Sequence, residues 1–271
     1  MTFQQKLDRQ MEKTNSLVCV GLDSDHERLP AHLTGRNAMF RFNKAIIDAT
    51  HDLVCAYKPN SAFYEEEGEE GIEQLKMTAD YLVDTYPDIP LILDAKRADI
   101  GTTNKGYAAF AFDHLGMDAI TLHPYLGREA LMPFLDRKDK GCIVLCRTSN
   151  KGAGEFQDLK IGRDTLYKRV AIRIRDVWNK NGNCMLVVGA TYPRELSELR
   201  RLIPDMTFLV PGVGAQGGDV QATVEAGLDK AKKGIIISSS RGIIFASSGK
   251  DFAEAARRET RKLLTEINKY R

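Results

Sequence analysis

The sequence predicts a (β/α)8 barrel, and three observations carry that prediction. Short apolar runs rich in β-branched residues recur along the whole chain, segments of helical period separate them, and the residues that end the runs are polar or ionisable. The runs fall at 17–23 (LVCVGLD), 53–59 (LVCAYKP), 90–96 (PLILDAK), 118–124 (DAITLHP), 141–147 (GCIVLCR), 184–190 (CMLVVGA), 207–212 (TFLVPG) and 234–240 (GIIISSS). Near-continuous apolar strands alternating with one-faced helices mean a parallel sheet covered by its crossovers. Eight such units in 271 residues fit one barrel. A doubly wound open sheet fits the alternation too.

Element by element, Phe3, Leu7 and Met11 repeat at four and predict an extra N-terminal helix ahead of the first strand. Met39, Phe42, Ile46 and Ala49 make the buried face of the helix after strand one. Ile72, Leu75, Ala79 and Leu82 do the same after strand two, and Leu166, Val170, Ile174 and Val177 after strand five. Phe252, Ala256, Leu263 and Ile267 predict a closing C-terminal helix. No linker or composition shift divides the chain, so residues 1–271 read as a single domain.

With 43% hydrophobic and 28% charged residues, the chain can bury a full core and is not a disordered tail. Lys plus Arg number 39 against 37 for Asp plus Glu, a net charge of +2. That balance argues against a nucleic-acid partner held by phosphate-backbone attraction but leaves a small anionic ligand open. The five cysteines are odd in number and form no close CxxC pair, so neither a disulfide framework nor a zinc site is expected, and a reducing cytoplasm is the expected location. The N-terminus lacks an apolar signal core, and no apolar stretch approaches the ~18 residues of a membrane span.

In such barrels the chemistry sits at the carboxyl ends of the strands. Here those ends read Asp23, Lys58, Asp94 with Lys96, His123, Thr148 with Ser149, Thr191, Gly212 with Gly214, and Ser240 with Arg241. DAKRAD (94–99) carries Asp94, Lys96 and Asp99 directly after an apolar strand; side chains alternate along an extended chain, so Asp94 and Lys96 face the same way. Packed charges of alternating sign hold one another ionised and leave a lysine poised to deliver a proton. A surface ion pair at a helix start would produce the same spacing.

PGVGAQGGD (211–219) after strand seven and SSSRG (238–242) after strand eight occupy the two loops that commonly grip phosphate in barrels. Glycines let backbone N–H groups approach the anion, and Arg241 adds a forked, charge-assisted contact. RTSNKGAGEFQDL (147–159) is a long polar loop able to fold over a ligand or simply to lie on the surface. His123, followed by Pro124, suits a structural role first and a catalytic base or metal ligand second; the other histidines lack mutual spacing, so no metal site emerges. The acidic run Glu65–Glu70 reads as a solvated face.

LDAKRADIGTT (93–103), PGVGAQGGD and SSSRG together resemble the orotidine 5′-monophosphate decarboxylase family, over nearly the whole chain; AYKPN (56–60) and RTSNKGA (147–153) are similar to its longer, bacterial-type (type 2) subgroup. The resemblance implies a cofactor-free, metal-free homodimer with its sites at the subunit interface and orotidine 5′-monophosphate as substrate. It implies that Asp23 binds ribose, Lys58 joins the charge network, Asp94 lies against the substrate carboxylate and Lys96 protonates C6. Asp99 and Thr103 would serve the neighbouring subunit's site, and Ser149 would read the pyrimidine. Gln216 would bridge to phosphate, held chiefly by Arg241 and the backbone of Gly217, Gly218 and Ser240. Ala98 stands where glycine is common in the family, and Lys151 where proline is usual; neither removes a functional side chain. Two rival readings remain at this point, a Mg2+-dependent sugar-phosphate enzyme of the same barrel group and a non-catalytic nucleotide-phosphate binder. Lys58 opposes the first, and the gathering of Lys58, Asp94, Lys96 and Asp99 opposes the second.

Overall fold

The computed structural model describes residues 1–213 and 217–271. Each of the eight apolar runs contains a strand: β1 Val18–Gly21, β2 Ala56–Lys58, β3 Ile92–Arg97, β4 Ala119–Leu122, β5 Gly141–Arg147, β6 Cys184–Val188, β7 Phe208–Pro211 and β8 Ile235–Ser239. Their order in the sheet is β2-β1-β8-β7-β6-β5-β4-β3, with parallel neighbours throughout. The two ends of that order meet, because Tyr57 bridges Leu91 and Asn60 bridges Asp94. Tyr57 N–H donates to the Pro90 carbonyl at 3.0 Å, and Asp94 N–H to that of Pro59 at 2.9 Å. The sheet therefore closes in sequence order as a barrel, and the open doubly wound alternative falls.

The helices of eight or more residues are α1 Phe3–Thr14, α2 Ala38–Thr50, α3 Gly68–Thr85, α4 Gly101–Ala108, α5 Gly127–Leu135, α6 Leu166–Arg173, α7 Pro193–Leu202, α8 Val220–Gly227 and α9 Phe252–Ile267, among the described residues. Their apolar stripes supply the second layer of the core: Met39, Phe42 and Ile46 of α2, and Leu75, Ala79 and Leu82 of α3, are buried. Phe42 stacks on Phe252 with ring centroids 5.1 Å apart, which locks α9 onto α2. All five cysteines are buried and unbridged.

The extra helix α1 decides which end of the barrel is open. Phe3 N–H donates to Asp139 O (2.8 Å), Lys6 pairs with Asp118 (2.7 Å), Gln10 donates to Val54 O (3.1 Å), and Gln4 accepts from Thr207 (2.9 Å). Asp139, Asp118, Val54 and Thr207 all lie just ahead of strands, so α1 covers the amino ends and its buried Phe3, Leu7 and Met11 seal them. The carboxyl ends are left for a ligand. The polar stretch after β5 is more ordered than its composition suggests: it folds into helical turns at Lys151–Ala153 and Gly154–Gln157 and a hairpin pairing Lys160–Ile161 with Asp164–Thr165. Gly162, at φ +65°, supplies the turn.

Candidate active site

Asp94 is the centre of the open end. Its Oδ2 accepts from Lys58 Nζ at 2.7 Å and its Oδ1 from Lys96 Nζ at 2.7 Å. Asp94 and Lys58 are buried, whereas the Lys96 side chain is 45% exposed and reaches into the mouth. Burial alone would push the Asp94 carboxyl up; Lys58 and Lys96 outweigh it and hold the group well below the usual carboxylate range. Burial likewise works against the Lys58 ammonium, but Asp94, with Asp23 behind it, raises its pKa instead. All the same, Asp94 remains one carboxylate between two ammonium groups.

Lys96 reaches Asp94 by a different geometry from the straight extended chain that period-two alternation assumes. The β3–β4 register shifts between Leu93 and Arg97, and Lys96 sits at φ +46°. A non-glycine residue in this left-handed region costs about 1–3 kcal/mol, and such bulges re-aim side chains next to active sites. The displaced Lys96 N–H is taken by the hydroxyl of Thr121 (2.9 Å), which in turn donates to Asp94 Oδ1 (2.9 Å). Thr121 escaped the sequence reading. Its signal was a lone hydroxyl in the apolar strand Ala119–Leu122.

Across the mouth, Asp23 and Ser240 meet over Gly21, where a Cβ would lie 2.7 Å from Ser240 Cβ and 3.4 Å from Asp23 Oδ1. Asp23 Oδ1 and Ser240 Oγ are buried without hydrogen-bond partners among the described residues, which is costly unless a ligand or water supplies them. Arg241 is exposed beside them. In the loop after β7, Gly217 is exposed at φ +86°. Gly218 is buried, and its N–H already donates to Gly212 O at 3.0 Å. A Cβ there would lie 2.7 Å from Ala190 Cβ, so glycine at 218 answers to close packing and its N–H is committed within the loop. Gln216 and Gly214 lie outside the described residues.

Ser149 is pressed against the β6 end: a Cβ on Gly189 would lie 2.7 Å from its Cα, and its carbonyl accepts from Thr191 at 3.2 Å. Arg147, also missed by sequence reasoning, anchors this loop from below. It is 2% exposed, pairs with Asp158 (3.1 Å), donates to Thr148 O (3.1 Å) and lies 3.9 Å over the Tyr192 ring. Asp99 does not join the Lys58–Asp94–Lys96 set and forms no ion pair among the described residues. Its backbone is pinned by Asn104, which accepts from Asp99 N–H (3.0 Å) and donates to Asp99 O (2.6 Å). Thr103 is exposed on the first turn of α4, beside the 60%-exposed Ile100. His123 is held below its ordinary pKa by burial and then by Lys96, so its ring is neutral at pH 7. Glu65 of the acidic run pairs with Arg97 across the rim. No helix is long and apolar enough to cross a membrane among the described residues.

A family model described as "Orotidine 5'-phosphate decarboxylase / HUMPS family" matches residues 16–258. An orotidine 5′-phosphate decarboxylase of Cellvibrio japonicus is 51% identical over 271 residues, covering 99% of this chain and 98% of the relative. One from Ralstonia pickettii is 48% identical over 272 residues and all of both chains. Among solved structures, the Leishmania donovani OMP decarboxylase superposes with a TM-score of 0.84 at 39% identity, over 98% of this chain and 100% of that one.

Proposed function

The chain belongs to the orotidine 5′-phosphate decarboxylase / HUMPS family, and from that premise we propose a division of labour among its rim residues. The enzyme is a carboxy-lyase of pyrimidine biosynthesis that converts orotidine 5′-monophosphate to UMP and CO2. When the bond between C6 and the carboxylate breaks, its electron pair stays on C6, and Lys96 donates a proton there. The Lys96 amine then regains its proton from water. Atoms and charge balance without a cofactor.

The observation that carries this reading is the buried Asp94 held between two ammonium groups, each at 2.7 Å. Asp94 beside the substrate carboxylate raises the ground state by about 4 kcal/mol at ~4 Å and an effective dielectric of ~20, and departure of CO2 relieves it. Enzymes lower barriers by roughly 8–23 kcal/mol, so most of the effect comes from the preorganised ammonium of Lys96 and from phosphate binding. Lys58 fixes Asp94 from behind. Asp23 takes the ribose hydroxyls, Ser149 the pyrimidine, and Gly217, Ser240, Arg241 and Gln216 the phosphate; Gly218 supports that loop by packing. Lys58 also disfavours the sugar-phosphate rival, since an ammonium in this position repels a divalent cation. Loss of orotidylate absorbance in the presence of EDTA tests the reading: turnover is expected, and none would defeat it.

Asp99 and Thr103 point to a shared site, because they sit together on α4's first turn and its lead-in, apart from their own chain's network. We place them in the active site of a second copy, in a cytoplasmic homodimer. Co-expressing Lys96→Ala with Asp99→Ala chains tests this. Half of randomly formed dimers are mixed and each holds one intact site, so about a quarter of sites should return. Activity no higher than the separate mutants, with mixed dimers present by mass spectrometry, would refute sharing.

A further inference from the structure

We propose that Thr121 is a positioning residue for the decarboxylation, acting through both Lys96 and Asp94. The inference rests on the reading of Lys96 as proton donor. Thr121 is 1% exposed, on a strand whose other residues, Ala119, Ile120 and Leu122, are apolar and buried. A hydroxyl in that setting is tolerated only when both its donor and its acceptor capacity are used. Both are used on the catalytic pair: it accepts from Lys96 N–H at 2.9 Å and donates to Asp94 Oδ1 at 2.9 Å.

The bulge explains why such a group is needed. Where the β3–β4 register shifts, the Lys96 N–H leaves the ladder, and its left-handed φ of +46° is unfavourable for a lysine. The Thr121 hydroxyl replaces the lost carbonyl and so holds the conformation that turns the Lys96 side chain toward the mouth. Its own proton orients Oδ1, the carboxylate oxygen that Lys96 Nζ shares at 2.7 Å. One hydroxyl thereby sets the direction of the proton donor and of its carboxylate partner. Without it, the Lys96 N–H loses this partner, and the left-handed conformation loses the hydrogen bond that offsets its cost.

The test compares Thr121→Val, which keeps the shape and removes the hydroxyl, with Thr121→Ala and Thr121→Ser. Valine and alanine are expected to lower kcat by roughly 10- to 100-fold, the scale of hydrogen bonds to charged groups, while KM stays within about threefold. Serine should restore kcat to within about threefold of wild type, since it keeps both hydrogen bonds. Wild-type kcat in the valine and alanine variants would overturn the proposal, as would a serine variant no better than alanine, or a loss confined to KM. Alanine keeps the test decisive should valine fail to fold. Lys96→Ala, run alongside, separates the two claims: if it still turns over, the reading of the site and this inference fall together. If it is dead while the Thr121 variants are unimpaired, only the inference falls.

Discussion

A buried cation lies at each end of the barrel, and the two are held in opposite ways. At the carboxyl ends, Lys58 faces the carboxylate of Asp94 at 2.7 Å. Near the amino ends, Arg200 of α7 has no carboxylate within ion-pair distance among the described residues; it donates to the carbonyls of Gly227 (2.8 Å), Met206 (2.7 Å), Gly234 (2.7 Å), Pro204 (3.1 Å) and Ile203 (3.3 Å). Its guanidinium also lies 4.0 Å over the Phe208 ring. Burial lowers Arg200 to about 10, with Asp229 and Asp205 only partly opposing, and it stays charged at neutral pH. Burial opposes Lys58 as well, yet Asp94 turns the balance and raises it. Carbonyl dipoles suffice to tie the end of α7 to the starts of β7 and β8. They neither titrate nor share a proton, whereas a carboxylate between two lysines fixes charge where a reaction can use it.

If that contrast is right, damage at the two ends separates stability from turnover. The largest effect is expected from Arg200→Met, which removes a donor from five carbonyls, of which Gly234 O keeps the Phe208 N–H at 2.9 Å. About 3–5 kcal/mol of stability should be lost, a fall in Tm on the order of 10 °C, with kcat of the folded enzyme unchanged. Thermal unfolding and active-site-normalised kinetics check this, and lost kcat at full stability would break the contrast. Lys58→Met should do the reverse and lower kcat by roughly 10²–10³-fold, comparable to losing one preorganised donor. It should cost less stability than Arg200→Met, because Asp94 keeps Lys96 and Thr121.

Arg241→Ala sharpens the picture within the open end. The side chain is exposed and makes no ion pair among the described residues. Its removal should leave Tm in place and raise KM by roughly 10- to 100-fold through the lost phosphate contact; an unchanged KM would take Arg241 out of the phosphate grip. The smallest effect is one of pH. Asp94 has a depressed folded-state pKa, so its contribution to stability is present above its unfolded value of about 3.9 and is lost as pH falls through the lower folded value. Lys58 is raised, so its contribution is present below about 10.4 and is lost as pH climbs through the folded value. The stability gap between wild type and Asp94→Asn, from urea midpoints, should hold from about pH 5 to 8 and narrow below about pH 4.

The barrel was legible because its signal is local: eight apolar runs, helical periods between them, and polar residues where each run stops. Lys58, Asp94 and Lys96 were legible for the same reason, since each closes a run. Residues whose importance arises across strands were not. Thr121 matters only because the β3–β4 register brings it under Lys96, and Arg200 only because α7 ends over β7 and β8. Gly218 shows the converse: a glycine-rich loop suggested phosphate-binding amides, but this N–H is closed onto Gly212. Arg147 reads in sequence as the end of a strand, and its contacts with Asp158 and the Tyr192 ring appear only once the loops after β5 and β6 fold together.

The claim at the centre of this account is that Lys96 delivers the proton to C6, and one pair of measurements on Lys96→Ala tests it most directly. Turnover of orotidine 5′-monophosphate and affinity for UMP are determined on the same preparation. The account predicts that turnover is abolished while nucleotide affinity stays within about tenfold of wild type, because the phosphate and ribose contacts are intact and the lost interaction belongs to the transition state. Turnover within about tenfold of wild type in that variant would contradict it.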